Sequence, residues 1–236
     1  MEDPEFQENT SVPAFNIPGI VLSLVGLQVL IHAVRIYFLS PQSDLWVISV
    51  FSFIPITYQL TDVQVIEPMA RLWSPVTHAL LHADWTHVGI NMLWFIAFGS
   101  AVARRFGVLR FLLFSIAGAL AGAAVFYAFQ PDVLVSVVGF SGVNSAFMGA
   151  AVRFMFQADS RFSTATHSLP AISIRQSLSQ RGSLSFIVIW LVLNYALGSG
   201  VLPMGVDGPI AWESHLGGFL LGWLAFSLFD KRPVQG

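Results

Sequence analysis

Six long apolar runs leave this chain little choice of solvent. About 20 mainly apolar residues cross a hydrocarbon core of about 30 Å. Runs of that order fall at residues 18–39, 86–103, 108–129, 140–157, 184–203 and 212–229. Unpaired backbone is too costly in lipid for anything but helices or closed barrels. Runs this long read as helices, so the expected fold is an all-α membrane protein. Charged residues make up only 10% of the 236, against about 25% in a soluble domain. No basic stripe supports a nucleic-acid partner. The absence of cysteine excludes disulfides, thiolate metal sites and a cysteine nucleophile.

Arginine placement orients the runs. Arg104, Arg105 and Arg110 separate the second and third, and Arg153, Arg161, Arg175 and Arg181 lie at or between the ends of the fourth and fifth. Lys231 and Arg232 follow the sixth. Nine of the eleven basic residues therefore share one side, which the positive-inside rule makes cytoplasmic. Arg35 and Arg71 fall on the other side. The expected organisation is a short cytoplasmic tail (1–17), one six-span domain (18–230) and a cytoplasmic end (231–236). The start, MEDPEFQEN, lacks the basic residues of a signal or transit peptide, so the first run is expected to be retained. The segment 45–60 is apolar but short and interrupted by Pro55. It reads as an interfacial element along the outer leaflet, with a seventh span as the competing reading. The Ser/Thr/Gln-rich stretch 158–183 reads as a solvated connection.

Two polar residues stand out by depth. Ser141, inside Gly139-Phe140-Ser141-Gly142, opens the fourth run, and His215 opens the sixth. Measured to Gln157 and Phe229, the helices they begin are about 24 and 21 Å long. Both residues then lie about 5–10 Å below the outer surface. Polar groups at that depth pair or line a hydrated cavity. His215, Gly218 and Gly222 share one helical face, and Gly142 and Gly149 follow Ser141. Small residues of this kind let membrane helices approach closely. An imidazole beside a serine accepts its proton as the hydroxyl attacks a carbonyl. The competing reading is ordinary helix packing by Gly, Ser and His. No third acid is evident, so the expected catalytic unit is a dyad, with Glu213 pointing elsewhere.

A second cluster comprises His78, His82, His87 and Asn91, the last two one turn apart on the second run. A metal reading is open, since histidine is a common zinc ligand, but no HExxH pattern is present. The alternative is donation to an oxyanion from His82 and Asn91, together with the Ser141 amide at a helix N-terminus. His87 then orders the loop. His78 and His32 read as structural.

Together, HALLHADWTHVGIN, GFSGVNSAFMGA and HLGGFLLG resemble the rhomboid intramembrane serine proteases over about residues 70–230. The resemblance implies a six-helix bundle around a short fourth helix, with a hydrated cavity open to the outside. It implies Ser141 as nucleophile and His215 as general base, and then as acid to the leaving amine. His82 and Asn91 are implied at the oxyanion, with His87 in support, and Gly142 and Gly218 between helices four and six. Segment 45–60 becomes part of a large first loop. The implied substrates are transmembrane proteins, with no cofactor or metal, while the short core and the lack of a transit-peptide pattern suggest a bacterial inner membrane. Two positions depart from the family pattern. Trp73-Ser74 stands where relatives carry Trp-Arg, with Arg71 a possible substitute, and Ser214 stands where Ala is usual. A catalytically silent relative that binds membrane proteins, and a transporter or channel, are the competing functions.

Overall fold

Burial and capping set the limits of each helix in the computed structural model, which describes residues 17–61, 67–156, 169–201 and 210–232. Nearly all of the expected tail over 1–17, Gln157, residues 202–203 and residues 233–236 lie outside the described residues. The described residues form helices joined by loops, with no strand among them. We number α1 (Gly19–Phe38), α2 (Pro41–Phe51), α3 (Trp85–Phe106), α4 (Val108–Phe129), α5 (Ser141–Val152), α6 (Ile174–Ser179), α7 (Arg181–Gly198) and α8 (Trp212–Leu224). Of these, α1, α3, α4 and α7 are long and apolar enough to cross a membrane. At 12 and 13 residues, α5 and α8 are about 18–20 Å long.

The fourth predicted run extends to 157, but α5 stops at Val152. The reason lies in Arg153. Its backbone carbonyl accepts from Ile172 N–H (2.8 Å), and its guanidinium donates to the carbonyls of Ile172 (2.7 Å) and Trp223 (2.9 Å). The chain turns at this point to satisfy a buried cation. The sixth run likewise breaks at Ala225 before a last turn, Phe226–Phe229.

Every residue of α5 from Gly142 to Val152 is buried, as a helix that is apolar all round requires. Glycines permit its contact with α4 and α8. A side chain at Gly218 would strike the Gly142 carbonyl, and one at Gly222 the Ala146 carbonyl. Gly149 of α5 faces the backbone of Phe219 and Trp223, and Gly217 faces the backbone of Ala121 on α4. Backbone meets backbone along this seam, so no side chain larger than hydrogen fits there. Stacked rings fill the flank: Phe111 and Phe147 lie parallel with centroids 4.9 Å apart.

The segment 45–60 forms the last part of α2 and a 3-10 turn, Pro55–Tyr58, and does not cross the bundle. Ser40 caps α2, accepting from Ser43 N–H at 3.2 Å. Trp73 Nε1 donates to Val50 O (3.0 Å), and Thr77 Oγ1 to Phe51 O (2.9 Å). Arg71 Nη2 donates to Leu60 O (2.8 Å), while Tyr58 donates its hydroxyl proton to Arg71 O (2.9 Å). Arg71 therefore anchors this loop from a position close to the missing Trp-Arg pair.

The described part of 158–183, expected to be a solvated connection, is mostly exposed or half-buried but is anchored at several points. Ala171 and Ile172 are fully buried, and α6 carries a Ser173/Gln176 capping box. Arg105 Nη1 donates to Leu169 O (2.6 Å), and Trp223 Nε1 to Ser177 Oγ (2.9 Å). Arg105 and Arg153, which read as loop charges, are buried anchors for this segment.

Candidate active site

The approach to α5 is pinned at three successive points. Phe53 and Val137 exchange two backbone hydrogen bonds (3.1 and 2.9 Å). Gly139 N–H donates to His78 O (3.0 Å), and Phe140 N–H to His82 Nε2 (3.4 Å). Gly139 has φ +122°, and a side chain there would overlap the His87 ring. Glycine is needed at this position both for its backbone and for the ring that lies against it.

This approach sets Ser141 at the first turn of α5, where backbone N–H groups have no intrahelical acceptor. The glycine seam brings α8 alongside. Ser141 Oγ and His215 Nε2 are 2.8 Å apart, from residues 74 apart in sequence. His215 Nδ1 lies 2.8 Å from Asn194 Oδ1 on α7, and Asn194 Nδ2 donates to Trp212 O at 3.0 Å. These bonds assign the tautomer. The Asn194 amide nitrogen is committed to a carbonyl, so its oxygen faces the imidazole. Nδ1 then carries the proton and Nε2 presents its lone pair to the serine.

The two histidines ahead of the site differ. His87 Nδ1 accepts from Ala83 N–H (3.4 Å), which leaves the neutral ring's proton on Nε2. That atom and Ser141 Oγ border the same point above Gly139. His82 is only 1% exposed, and burial pushes its pKa down to about 3, so its ring is neutral. Its Nε2 accepts from Phe140, so its proton sits on Nδ1, a buried atom without a hydrogen-bond partner among the described residues. In this structure the His82 ring holds the Phe140 amide, next to the serine. The His82 carbonyl accepts from Arg35 Nη1 (2.8 Å), and Arg35 pairs with Asp44 (2.7 Å). The His82 loop is thereby fastened to α1 and α2.

Asn91 lies behind His87. One hydrogen of its amide goes to His87 O (2.9 Å), and no described bond uses the other. Asn144 Nδ2 donates to Asn91 O (2.9 Å) and Oδ1 (3.1 Å), which joins α3 to α5. His78 Nδ1 faces Ser74 O (3.1 Å), and burial holds its pKa at about 4. His32 packs edge-on against Trp85 at 4.7 Å. Glu213 is buried and accepts from Gln130 Nε2 at 3.2 Å, away from the imidazole. Ser214 packs against Gly122 and Gly142, where an Ala is usual.

Sequence reasoning missed Asn194. Its signal was available: it is the one amide in the apolar stretch from Phe186 to Leu197, and polar groups at such positions in membrane helices need a partner. What the run does not contain is the helical phase that aims the amide at His215.

Comparison with known proteins agrees with this architecture. The Rhomboid domain family matches residues 69–231. Proteins named Rhomboid protease GlpG from Yersinia pestis (strain Pestoides F) and from Yersinia pseudotuberculosis serotype O:3 (strain YPIII) are each 27% identical over 164 residues. Those residues make up 69% of this chain and 49% of each relative. The namesake from Yersinia enterocolitica serotype O:8 is 28% identical over 165 residues. The chain thus spans about half the length of the relatives it matches. With a family match across more than half of its residues, on an all-helical bundle with four candidate membrane spans, this chain belongs to the rhomboid family.

Proposed function

We propose that this protein is an intramembrane serine endopeptidase that cleaves transmembrane segments of other membrane proteins. The observation that carries the reading is the 2.8 Å contact of Ser141 Oγ with an imidazole nitrogen whose lone pair is free to accept. The named relatives are proteases, which supports the same class.

In this reading Ser141 Oγ attacks the scissile carbonyl carbon while His215 Nε2 takes the hydroxyl proton. The oxyanion that forms faces the Ser141 backbone N–H at the start of α5, His87 Nε2–H and the unused amide hydrogen of Asn91. The C–N bond then breaks, and His215 returns its proton to the leaving amine. Water next adds to the acyl ester and gives a proton to His215, and the serine is released. No step draws on a metal or cofactor. Substrate reaches the site past α7, the least buried of the four candidate spans, with 11% of its 18-residue window buried against 56% for α3. By the arginine distribution, Ser141 opens to the extracytoplasmic side of an inner membrane, with both termini cytoplasmic.

The test is labelling of purified protein by a fluorophosphonate, alongside cleavage of a transmembrane reporter in liposomes. Wild type is labelled and cleaves, while Ser141→Ala and His215→Ala do neither and unfold at the wild-type temperature. An unlabelled, inactive wild type would point to a binding module. Cleavage retained by Ser141→Ala would remove the mechanism altogether, and loss of cleavage on adding EDTA would return attention to a metal.

A further inference from the structure

We propose that Asn194 is a positioning residue for His215, so that the working unit is Ser141–His215–Asn194 drawn from α5, α8 and α7. The inference rests on the protease reading and deepens it. Three distances form one chain: Ser141 Oγ to His215 Nε2 (2.8 Å), His215 Nδ1 to Asn194 Oδ1 (2.8 Å), and Asn194 Nδ2 to Trp212 O (3.0 Å). The last bond matters most. A free carboxamide can rotate and offer Nδ1 either its oxygen or its nitrogen. With Nδ2 committed to the Trp212 carbonyl, only the oxygen faces the ring, and only the Nδ1–H tautomer fits. That tautomer alone leaves Nε2 able to accept from the serine. When His215 takes the serine proton, both its ring nitrogens become donors, and Asn194 Oδ1 still accepts from one of them.

Asn194 is otherwise an expensive choice. The neighbouring faces of α7 carry Val188, Ile189, Leu191, Val192 and Leu193, all well exposed in the bundle and suited to lipid. A single amide among them is stabilised by the two partners it reaches, both on α8. The Trp212 carbonyl is itself in the first turn of α8, three residues before His215. One side chain therefore holds both the ring and the turn that carries it.

The surroundings of His215 make a pH test readable. Ser141 faces it from α5 and Asn194 from α7. His87, on α3, is the ionisable side chain that acts on its charge. On α8 itself Glu213 is engaged with Gln130. From α4, Ala121, Gly122 and Val125 pack against α8, and none of them ionises.

The experiment measures the rate of fluorophosphonate labelling at Ser141, and kcat and KM on a transmembrane reporter, from pH 5 to 9, for wild type, Asn194→Ala and Asn194→Asp. Thermal unfolding in detergent is recorded for each. For Asn194→Ala we expect labelling and kcat to fall about 100-fold, the scale of a misplaced catalytic group, with KM unchanged. Asn194→Asp keeps the shape and the acceptor for Nδ1, gives up the donor to Trp212 O, and sets a carboxylate beside Nδ1. A neighbouring negative charge favours the imidazolium. Because activity needs the neutral ring, the limb on which rate rises with pH moves upward by about 1 unit or more, and activity returns at high pH. The inference is overturned by an Ala variant with wild-type kcat. It is equally overturned by an Asp variant whose pH limb stays in place, since a purely structural amide would not move it. Should Asn194→Ala fail to fold, the Asp variant decides alone. An unlabelled wild type would instead defeat the protease reading and is seen separately.

Discussion

At the scale of single residues, hydrogen bonding sets His87 and His82 apart. His87 and His82 sit five residues apart, yet hydrogen bonding assigns their protons to opposite ends. The Ala83 amide occupies His87 Nδ1 and leaves Nε2–H toward the serine, whereas the Phe140 amide occupies His82 Nε2. We therefore expect His87→Ala to lower kcat by about 100-fold, the scale of one lost oxyanion donor, with little change in thermal stability. His82→Ala removes a fully buried ring and the acceptor for Phe140, so its first effect is a lower unfolding temperature. Parallel measurement of reporter cleavage and thermal unfolding separates the two. Equal loss of kcat with equal loss of stability in both variants would defeat the distinction. Ser141 and His215 were legible in the sequence because each is a reactive type at the start of an apolar run. Which ring nitrogen of His82 and of His87 is occupied was not, because it depends on which backbone amides the loop 78–87 folds against.

At the scale of elements, the runs were legible and their ends were not. Hydrophobic length located α1, α3, α4 and α7, but nothing in the run 140–157 marks Val152 as a terminus. Arg153 reads as a loop charge until the Ile172 and Trp223 carbonyls are seen to enclose it. Glycine spacing was more informative. Gly218 and Gly222 were expected on one face, and that face meets the carbonyls of Gly142 and Ala146. Substituting Gly222→Val must force α5 and α8 apart, since backbone cannot yield as a flexible side chain does. Overpacking of this kind costs about 3 kcal/mol, and separating the helices also draws His215 away from Ser141. Gly26→Ala on α1 is the matched control, since nothing lies within 4 Å of the added methyl. Thermal unfolding and labelling should both fall for Gly222→Val and be unchanged for Gly26→Ala. A Gly222→Val protein with wild-type stability and labelling would mean that the seam does not hold the site.

At the scale of the whole molecule, the two ends of the bundle are closed by different means. Where Ser141 sits, a loop tied by Arg35, Arg71 and Trp73 covers the helices. The proposed sidedness rests on charge, and a chain without cysteine is a clean background for testing it. A cysteine at Asp132 should react with a membrane-impermeant maleimide from outside intact cells, and one at Arg110 only after lysis. The reverse pattern would invert the proposed topology. At the opposite end, Arg105 and Asp230 form an ion pair at 2.7 Å whose side chains are 0% and 1% exposed, with Phe154 and Phe226 against the guanidinium. Burial of such a pair offers little net stability, but stranding one partner costs about 3–5 kcal/mol. Asp230→Ala should therefore lower the unfolding temperature sharply, although Asp230 lies at the end of the bundle away from Ser141. Replacing both partners, Arg105→Met with Asp230→Leu, removes the stranded charge and should recover most of the loss. The double variant still gives up the bond to Leu169 O, so the recovery falls short by about 1 kcal/mol, the net worth of one hydrogen bond. A double variant no more stable than Asp230→Ala would show that Arg105 acts through the Leu169 segment and the rings around it, and that the ion pair is incidental.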